Sequence, residues 1–489
     1  MILCFLALMH SSQPLTRPEP VRSFAPAAAG EKVAEGRMRG RIGDGLPVLH
    51  EVHRATLPNG LQIFVKERRE TQAIEVRVVV KVGHRYERPR DSGISHLLEH
   101  LLFKGTERQS EAELKWAVER RGGARNGITT PEATYYYVNI RDAHFDFAVD
   151  WLEDIVLHSR LSEEHLKQAR KDVYSEQGGH YPRILDRILL TGFFQPPEVR
   201  AAVSAFPHAN VAERVISELD HVDGATLKRH FEEYYVPNNM AVIVAGNVDA
   251  AEAVRKITAR FGSLARRPVQ RDEYIPYRPP RIASEVRTRL YPPVGQMTDV
   301  RYGLWTRGKQ DPDRPALRLL ARHLDRRLKE EIRYKRAMAY SVGSAFVESI
   351  DIGVLYAYAD VPRGDEDEGK ELIRGLFREV ATTSMTSLQL ADAREAIVGS
   401  SVRYYESNSR LADLYQDFFL TGMLRDEFAE ISAVSAEDVL RVARRRLQPQ
   451  SMTFVVARPP LTYVGAAVAA TATLILIALL VTWRVRSRR

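Results

Sequence analysis

The chain has 489 residues, 44% of them hydrophobic and 27% charged, proportions that exclude a collagen-like, coiled-coil or wholly disordered protein. Its one thiol, Cys4, excludes disulfide scaffolds, iron–sulfur centres and cysteine zinc ribbons, so any metal must sit on His, Asp or Glu. The net charge is +8, but Arg484, Arg486, Arg488 and Arg489 supply half of that excess at one end, and the remaining basic field is too weak to indicate nucleic-acid binding.

Residues 1–44 read as a leader. Met1–Met9 is apolar but short and lacks a basic flank, and Ala27-Ala28-Ala29, which has the pattern of a signal-peptidase site, lies too far from Met9 for an ordinary signal. From residue 45 onward, strand and helix patterns alternate. Glu75–Val82 alternates and is β-branched, which predicts a strand. Ser92–Leu102 and Glu111–Arg120 have helical apolar spacing. Tyr135–Ile140 predicts a strand, Ser162–Glu176 a long amphipathic helix, Ala225–Tyr234 a helix and Met240–Ala245 a strand.

The stretch 262–281 holds four prolines and five arginines and reads as an exposed linker. It separates residues 45–261 from 282–458. The two parts repeat in order. Leu166-x-x-Ala169-Arg170 is echoed by Leu390-x-x-Ala393-Arg394, and Leu190-Thr191-Gly192 by Leu420-Thr421-Gly422. Pro237-x-x-Met240 before an apolar strand is echoed by Pro449-x-x-Met452. Three matches in one order predict a duplication. The fold class is therefore α+β, in two tandem homologous α/β-sandwich-like repeats. Residues 463–483 carry no charge and have an aromatic residue at each end, as a transmembrane helix does. The basic tail 484–489 would then lie in the cytoplasm and the preceding residues outside it, in the periplasm of a bacterial-type cell. A buried core helix and a tail-anchored cytosolic protein are the alternatives.

His96-Leu97-Leu98-Glu99-His100 carries the chemistry. On a helix, residues four apart share a face, so His96 and His100 can offer two imidazoles to one metal while Leu97 and Leu98 pack behind them. Glu99 lies beside that metal without having to bind it. This is the H-x-x-E-H order of the inverzincins. Two imidazoles and a carboxylate leave an open position on zinc for water, and a neighbouring Glu can take its proton. Spacing alone leaves the third ligand open among Glu163, Glu164, Asp172, Glu176 and His180.

Gly83-His84-Arg85-Tyr86-Glu87, followed by Gly93-x-x-His96-x-x-Glu99-His100-x-x-Phe103-Lys104-Gly105-Thr106, closely resembles the pitrilysin family of zinc metallopeptidases, which includes mitochondrial processing peptidase. Further matches are Asn126-Gly127-x-Thr129 with Thr134-x-Tyr136, Tyr234-Tyr235-x-Pro237-x-Asn239-Met240, and Arg333 with Tyr340. The resemblance spans about residues 50–458. It implies Zn2+ held by His96, His100 and Glu176, Glu99 as general base, Arg333 and Tyr340 as substrate-binding and oxyanion-stabilising groups, and Asn126 and Thr129 on a substrate-binding edge strand. The family usually carries a supporting Glu where this chain has Ala169, so Ala169→Glu is expected to strengthen zinc binding or turnover. The second repeat lacks H-x-x-E-H and is expected to be catalytically bare. The resulting reading is a membrane-anchored zinc endopeptidase for peptides or unfolded protein segments, working as a homodimer or with a paralogue. The alternatives are a non-catalytic scaffold subunit and a peptide-binding clamp.

Overall fold

Strand order carries the duplication more clearly than residue identity does. The computed structural model describes residues 52–88, 91, 93–176, 219–269, 284–289 and 294–487. In the first half, strands β1 (His53–Thr56), β2 (Gln62–Glu67), β3 (Ala73–Val80), β4 (Ala124–Thr129), β5 (Thr134–Arg141) and β6 (Met240–Gly246) form a sheet ordered β1-β2-β6-β3-β5-β4. In the second, β7 (Glu285–Arg289), β8 (Met297–Thr306), β9 (Val342–Glu348), β10 (Gly353–Pro362) and β11 (Thr453–Arg458) are ordered β7-β11-β8-β10-β9. With β1 set aside, both sheets consist of one parallel pair followed by three antiparallel pairs in matching positions.

The helices of the first half are α1 (Ile94–Leu102), α2 (Glu111–Glu119), α3 (Phe145–Leu157), α4 (Glu163–Glu176), α5 (Gly224–Tyr234) and α6 (Ala250–Phe261). Those of the second are α7 (Arg314–Leu328), α8 (Glu366–Thr382), α9 (Ser387–Tyr404), α10 (Asn408–Thr421), α11 (Glu427–Ala433) and α12 (Ala436–Arg446), and α13 (Tyr463–Arg486) follows β11. The repeated Leu-x-x-Ala-Arg segments do the same work in each half. Arg170 on α4 donates to the Val222 carbonyl just before α5, at 2.8 Å, and Arg394 on α9 donates to the Val434 carbonyl just before α12, at 2.5 Å. Pro237 and Pro449 each open a short 3-10 turn that leads into β6 and β11. The Leu190–Gly192 partner of the third match lies outside the described residues, as do 270–281 of the linker stretch and the leader.

The alternation along β3 sorts its side chains onto two faces. Ile74, Val76, Val78 and Val80 join the core beneath the helices of the first half, with Leu97, Leu98, Leu101 and Trp151. Val79 faces the other way, into a second apolar cluster with Phe64, Tyr135 and Ile243. The lid of that second cluster comes from the other half: α10 crosses over and packs Leu411, Ala412, Tyr415 and Leu420 against it. Arg77, 2% exposed, sits at this junction between Glu75 at 2.7 Å and Asp413 at 2.8 Å. A buried guanidinium is tolerable there because both partners and the Gln416 carbonyl satisfy it. A second tie joins Arg85 of the first half to Asp351 of the second.

Helix α13 starts at a Thr462 cap, with Gly465 N–H donating to its hydroxyl at 3.0 Å, and none of its side chains is buried. It is apolar and long enough to cross a membrane.

Candidate metal centre and active site

Helix α1 is built to hold its histidines still. Its N-terminus is capped by the Glu87 carboxylate, which accepts from Gly93 N–H at 2.7 Å and Ser95 N–H at 2.9 Å. An anion at this end is also favoured by the helix dipole. Burial opposes the charge on Glu87, but bonding from His84 and these backbone groups outweighs it and holds the carboxyl below its ordinary range. The opposite face of α1 buries Leu97, Leu98, Leu101 and Leu102 almost completely. Glu87 was not singled out by sequence reasoning. Its signal was its place in the Gly83–Glu87 motif, seven residues ahead of the first residue of the helix.

On the open face, one turn apart, the Nε2 atoms of His96 and His100 are 3.2 Å from each other. Glu176, at the end of the described part of α4, brings Oε2 to 3.1 Å from His100 Nε2 and 3.4 Å from His96 Nε2. The three donor atoms lie within 4.8 Å of one another. Burial first, then the neighbouring His100, holds His96 below its ordinary pKa and keeps its lone pair free for a metal. Two imidazoles and one carboxylate fit a catalytic zinc set with an open position. The other candidate ligands are occupied elsewhere or stand apart. Glu163 accepts from Gly224 N–H, Asp172 pairs with Lys104, Glu164 is exposed, and His180 lies outside the described residues.

Glu99 is 7% exposed and accepts from the Thr129 hydroxyl at 2.7 Å. Burial pushes its carboxyl up to about 7. Thr129, expected from the resemblance to bind substrate, thus gives its hydroxyl to Glu99. Strand β4 can come this close because of Gly127. A Cβ there would lie 2.8 Å from both Glu99 Cγ and Phe103 Cε2. Asn126 is exposed on the same strand, paired in register with Tyr137 of β5. Strand β4 ends the sheet, so its outer edge has no strand beside it among the described residues. Within the core, the Tyr136 and Tyr235 hydroxyls share a 2.7 Å hydrogen bond. Gly127, Tyr136 and Tyr235 were visible only as motif letters.

Arg333 and Tyr340 lie in the second half. A π-helical turn, Lys329–Tyr334, continues α7, and the Arg333 guanidinium sits 4.2 Å over the Tyr340 ring, which is 81% exposed. Among the described residues, no hydrogen bond or ion pair joins either of them to His96, Glu99, His100 or Glu176.

Two findings lead to predictions. Ala169 is fully buried, in the same apolar core as Leu98, Leu102, Leu166 and Val173. A carboxylate there would be desolvated at a cost of a few kcal/mol unless it found a partner. The expectation that Ala169→Glu improves the site is therefore reversed: the variant should melt at a lower temperature than the unmodified chain and hold zinc no better, as thermal denaturation and zinc titration would register. The second concerns His230 on α5, whose Nε2 is 3.4 Å from the Ser95 hydroxyl, next to His96. Burial lowers its pKa to about 4. The unfolded chain, with an ordinary histidine near 6.5, binds the proton first, so stability is full above about pH 6.5 and declines as the pH falls towards 4, by on the order of 3 kcal/mol. His230→Gln should flatten the fall in melting temperature between neutral pH and pH 5; an unchanged slope would remove His230 as its source.

Comparison with known proteins bears on the family and the fold. Residues 63–189 match the family described as Insulinase (Peptidase family M16), and residues 221–397 match the Peptidase M16 inactive domain. An uncharacterized zinc protease of Bacillus subtilis is 27% identical over 400 residues, covering 81% of this chain and 95% of that protein. The ubiquinol-cytochrome-c reductase complex core protein I of Euglena gracilis is 24% identical over 455 residues, covering 83% of this chain and 88% of that protein. The crystal structure of a protease from Helicobacter pylori superposes with a TM-score of 0.70 at 23% identity, over 84% of this chain and 99% of that one, which establishes a shared fold.

Proposed function

The chain belongs to peptidase family M16, with an insulinase-type first domain and an M16 inactive-type second domain, and on that footing we propose that it is a zinc-dependent endopeptidase. The observation that carries this reading is the meeting of His96, His100 and Glu176 beside a buried Glu99, facing the free edge of β4. Zinc bound there would acidify a water and polarise a peptide carbonyl. Glu99 would take the proton of the attacking water and return it to the leaving amine. Thr129 would hold the Glu99 carboxylate in place. An extended peptide or unfolded segment would add to β4 as a further strand, drawing affinity from main-chain bonds near Asn126. Arg333 and Tyr340 would bind substrate and steady negative charge on the carbonyl oxygen, and their distance in sequence and contacts from the first domain favours supply from a second subunit.

A non-catalytic assembly subunit is the second reading, supported by the relative named as a respiratory-complex core protein. Metal analysis of the purified chain, together with cleavage of a quenched peptide library, separates the two. The endopeptidase reading expects about one zinc per chain and cleavage, both lost in a His96→Ala, His100→Ala double variant. Zinc without cleavage would favour a peptide clamp, and neither would favour the scaffold.

For α13 the reading is a single membrane span, with the zinc site on the extracytoplasmic side and the arginine tail in the cytoplasm. An apolar helix without buried side chains is costly to leave in water. Gly295 N–H bonds to the Leu461 carbonyl at 2.9 Å, so a cut after Thr462 keeps the second domain intact. That truncation should be recovered from the soluble fraction; a truncated chain still fixed in membranes would count against the span.

A further inference from the structure

The two metal-ligand helices are joined by a second contact one turn beyond the ligands. Helix α1 carries His96 and His100, and its turn continues through Phe103 and Lys104, whose N–H groups donate to the carbonyls of His100 and Leu101 at 3.3 and 3.0 Å. His100 and Lys104 are four residues apart. On α4, Asp172 and Glu176 are also four apart and share a face. The pairs meet in antiparallel order: Glu176 Oε2 is 3.1 Å from His100 Nε2, and Asp172 Oδ2 is 2.5 Å from Lys104 Nζ. Further along the same sense, a Cβ on Gly105 would lie 3.6 Å from His165 Cε1. The Lys104 side chain is 10% exposed and, among the described residues, has one other ion-pair partner, Glu111 at 2.8 Å. Among the described residues, no other ion pair links α4 to α1 or to its continuation, apart from the ligands themselves.

The geometry points to Lys104 and Asp172 as a positioning pair that sets the register of α4 against α1 and so delivers Glu176 to the two imidazoles. This rests on the zinc reading above. Register matters because a slip of one turn would carry Glu176 about 5.4 Å away from the imidazoles. The core residue Ala169 can grip α4 by packing but offers no charge to align it. The Glu176 side chain itself is 60% exposed, and among the described residues its polar partners are the two imidazoles alone. The strap has an asymmetric role: Asp172 is half exposed and dispensable for the core, whereas its link to Lys104 acts on a ligand one turn away.

The test uses the full-length chain in detergent, with zinc affinity measured by competition against a chromophoric chelator and the metal-free melting temperature as a fold control. Asp172→Asn should weaken zinc binding about 10-fold, as outer partners of metal ligands do, while leaving the metal-free melting temperature in place. Asp172→Glu, which keeps the charge opposite Lys104, should retain most of the affinity. Glu111→Gln, which removes the other partner of Lys104, should leave zinc affinity unchanged. The proposal is overturned if Asp172→Asn binds zinc within about 2-fold of the unmodified chain, or if Glu111→Gln weakens binding as much. If the unmodified chain itself takes up no zinc, the zinc reading fails first and the strap fails with it. Zinc uptake that is normal in the unmodified chain and in Asp172→Asn alike sinks the strap alone.

Discussion

Glu99→Gln is expected to leave zinc bound and to lower kcat by about 10²–10⁴-fold, the usual contribution of a general base. Glutamine matches the volume of glutamate, and its side-chain oxygen can still accept from the Thr129 hydroxyl, which is 2.7 Å from the carboxylate in this structure. The substitution leaves both imidazoles and Glu176 untouched. Only the proton acceptor is lost. The Michaelis constant should change little if, as proposed, main-chain bonds along β4 hold the peptide, and a fall in kcat with steady KM marks an interaction used in the transition state. Zinc content and steady-state cleavage of a quenched peptide check both halves of this expectation. Near-normal turnover would remove Glu99 from the mechanism. Loss of zinc together with activity would make it a structural support of the site instead.

What could be read ahead of the structure was whatever depends on local period. The four-residue spacing of His96 and His100 specifies a shared helix face, and helix α1 carries them so. The alternation in Glu75–Val82 specified a two-faced strand, and β3 buries Val76 and Val78 on one face and Val79 on the other. The duplication was legible because Arg170 and Arg394 repeat one hydrogen bond in two places. Contacts set by sheet register and chain crossing were not legible. Thr129 reaches Glu99 because β4 runs beside α1, and Gly127 is required because the two approach within contact distance, neither of which a linear pattern encodes. Helix α10 belongs in sequence to the second repeat yet completes the core of the first, since the outer face of that sheet needs an apolar cover. That Ala169 lies in the apolar core was not legible either, because a sequence does not display burial. Spacing alone left Glu176 among five candidates; the resemblance pointed to it, and the packing of α4 against α1 brings its carboxylate to the two imidazoles.

Co-expression of Glu99→Gln chains with Tyr340→Phe chains should restore activity that neither variant has alone. The argument begins with where the groups lie. The presumed zinc residues and Glu99 are in the first domain, Arg333 and Tyr340 in the second. Arg333 covers one face of the Tyr340 ring, and that ring is 81% exposed, so its other face is open to a second copy. A second copy could meet it. In a two-fold dimer one interface would present the Arg333–Tyr340 pair of each subunit to the zinc site of the other, so the chain would be chemically self-sufficient. Mixed dimers then have one site with neither defect and one site with both. Equal co-expression with random pairing would place half of all dimers in the mixed class, restoring about a quarter of normal activity in the pool and about half in the purified mixed dimers. The measurement is peptide cleavage by doubly tagged dimers purified through both tags, against each variant purified alone. Doubly tagged dimers with no recovery would mean that Tyr340 acts on the zinc site of its own chain or on none. Full activity in a monomer would reject the shared site, and a chain that is inactive until a different protein is added would make the partner a paralogue.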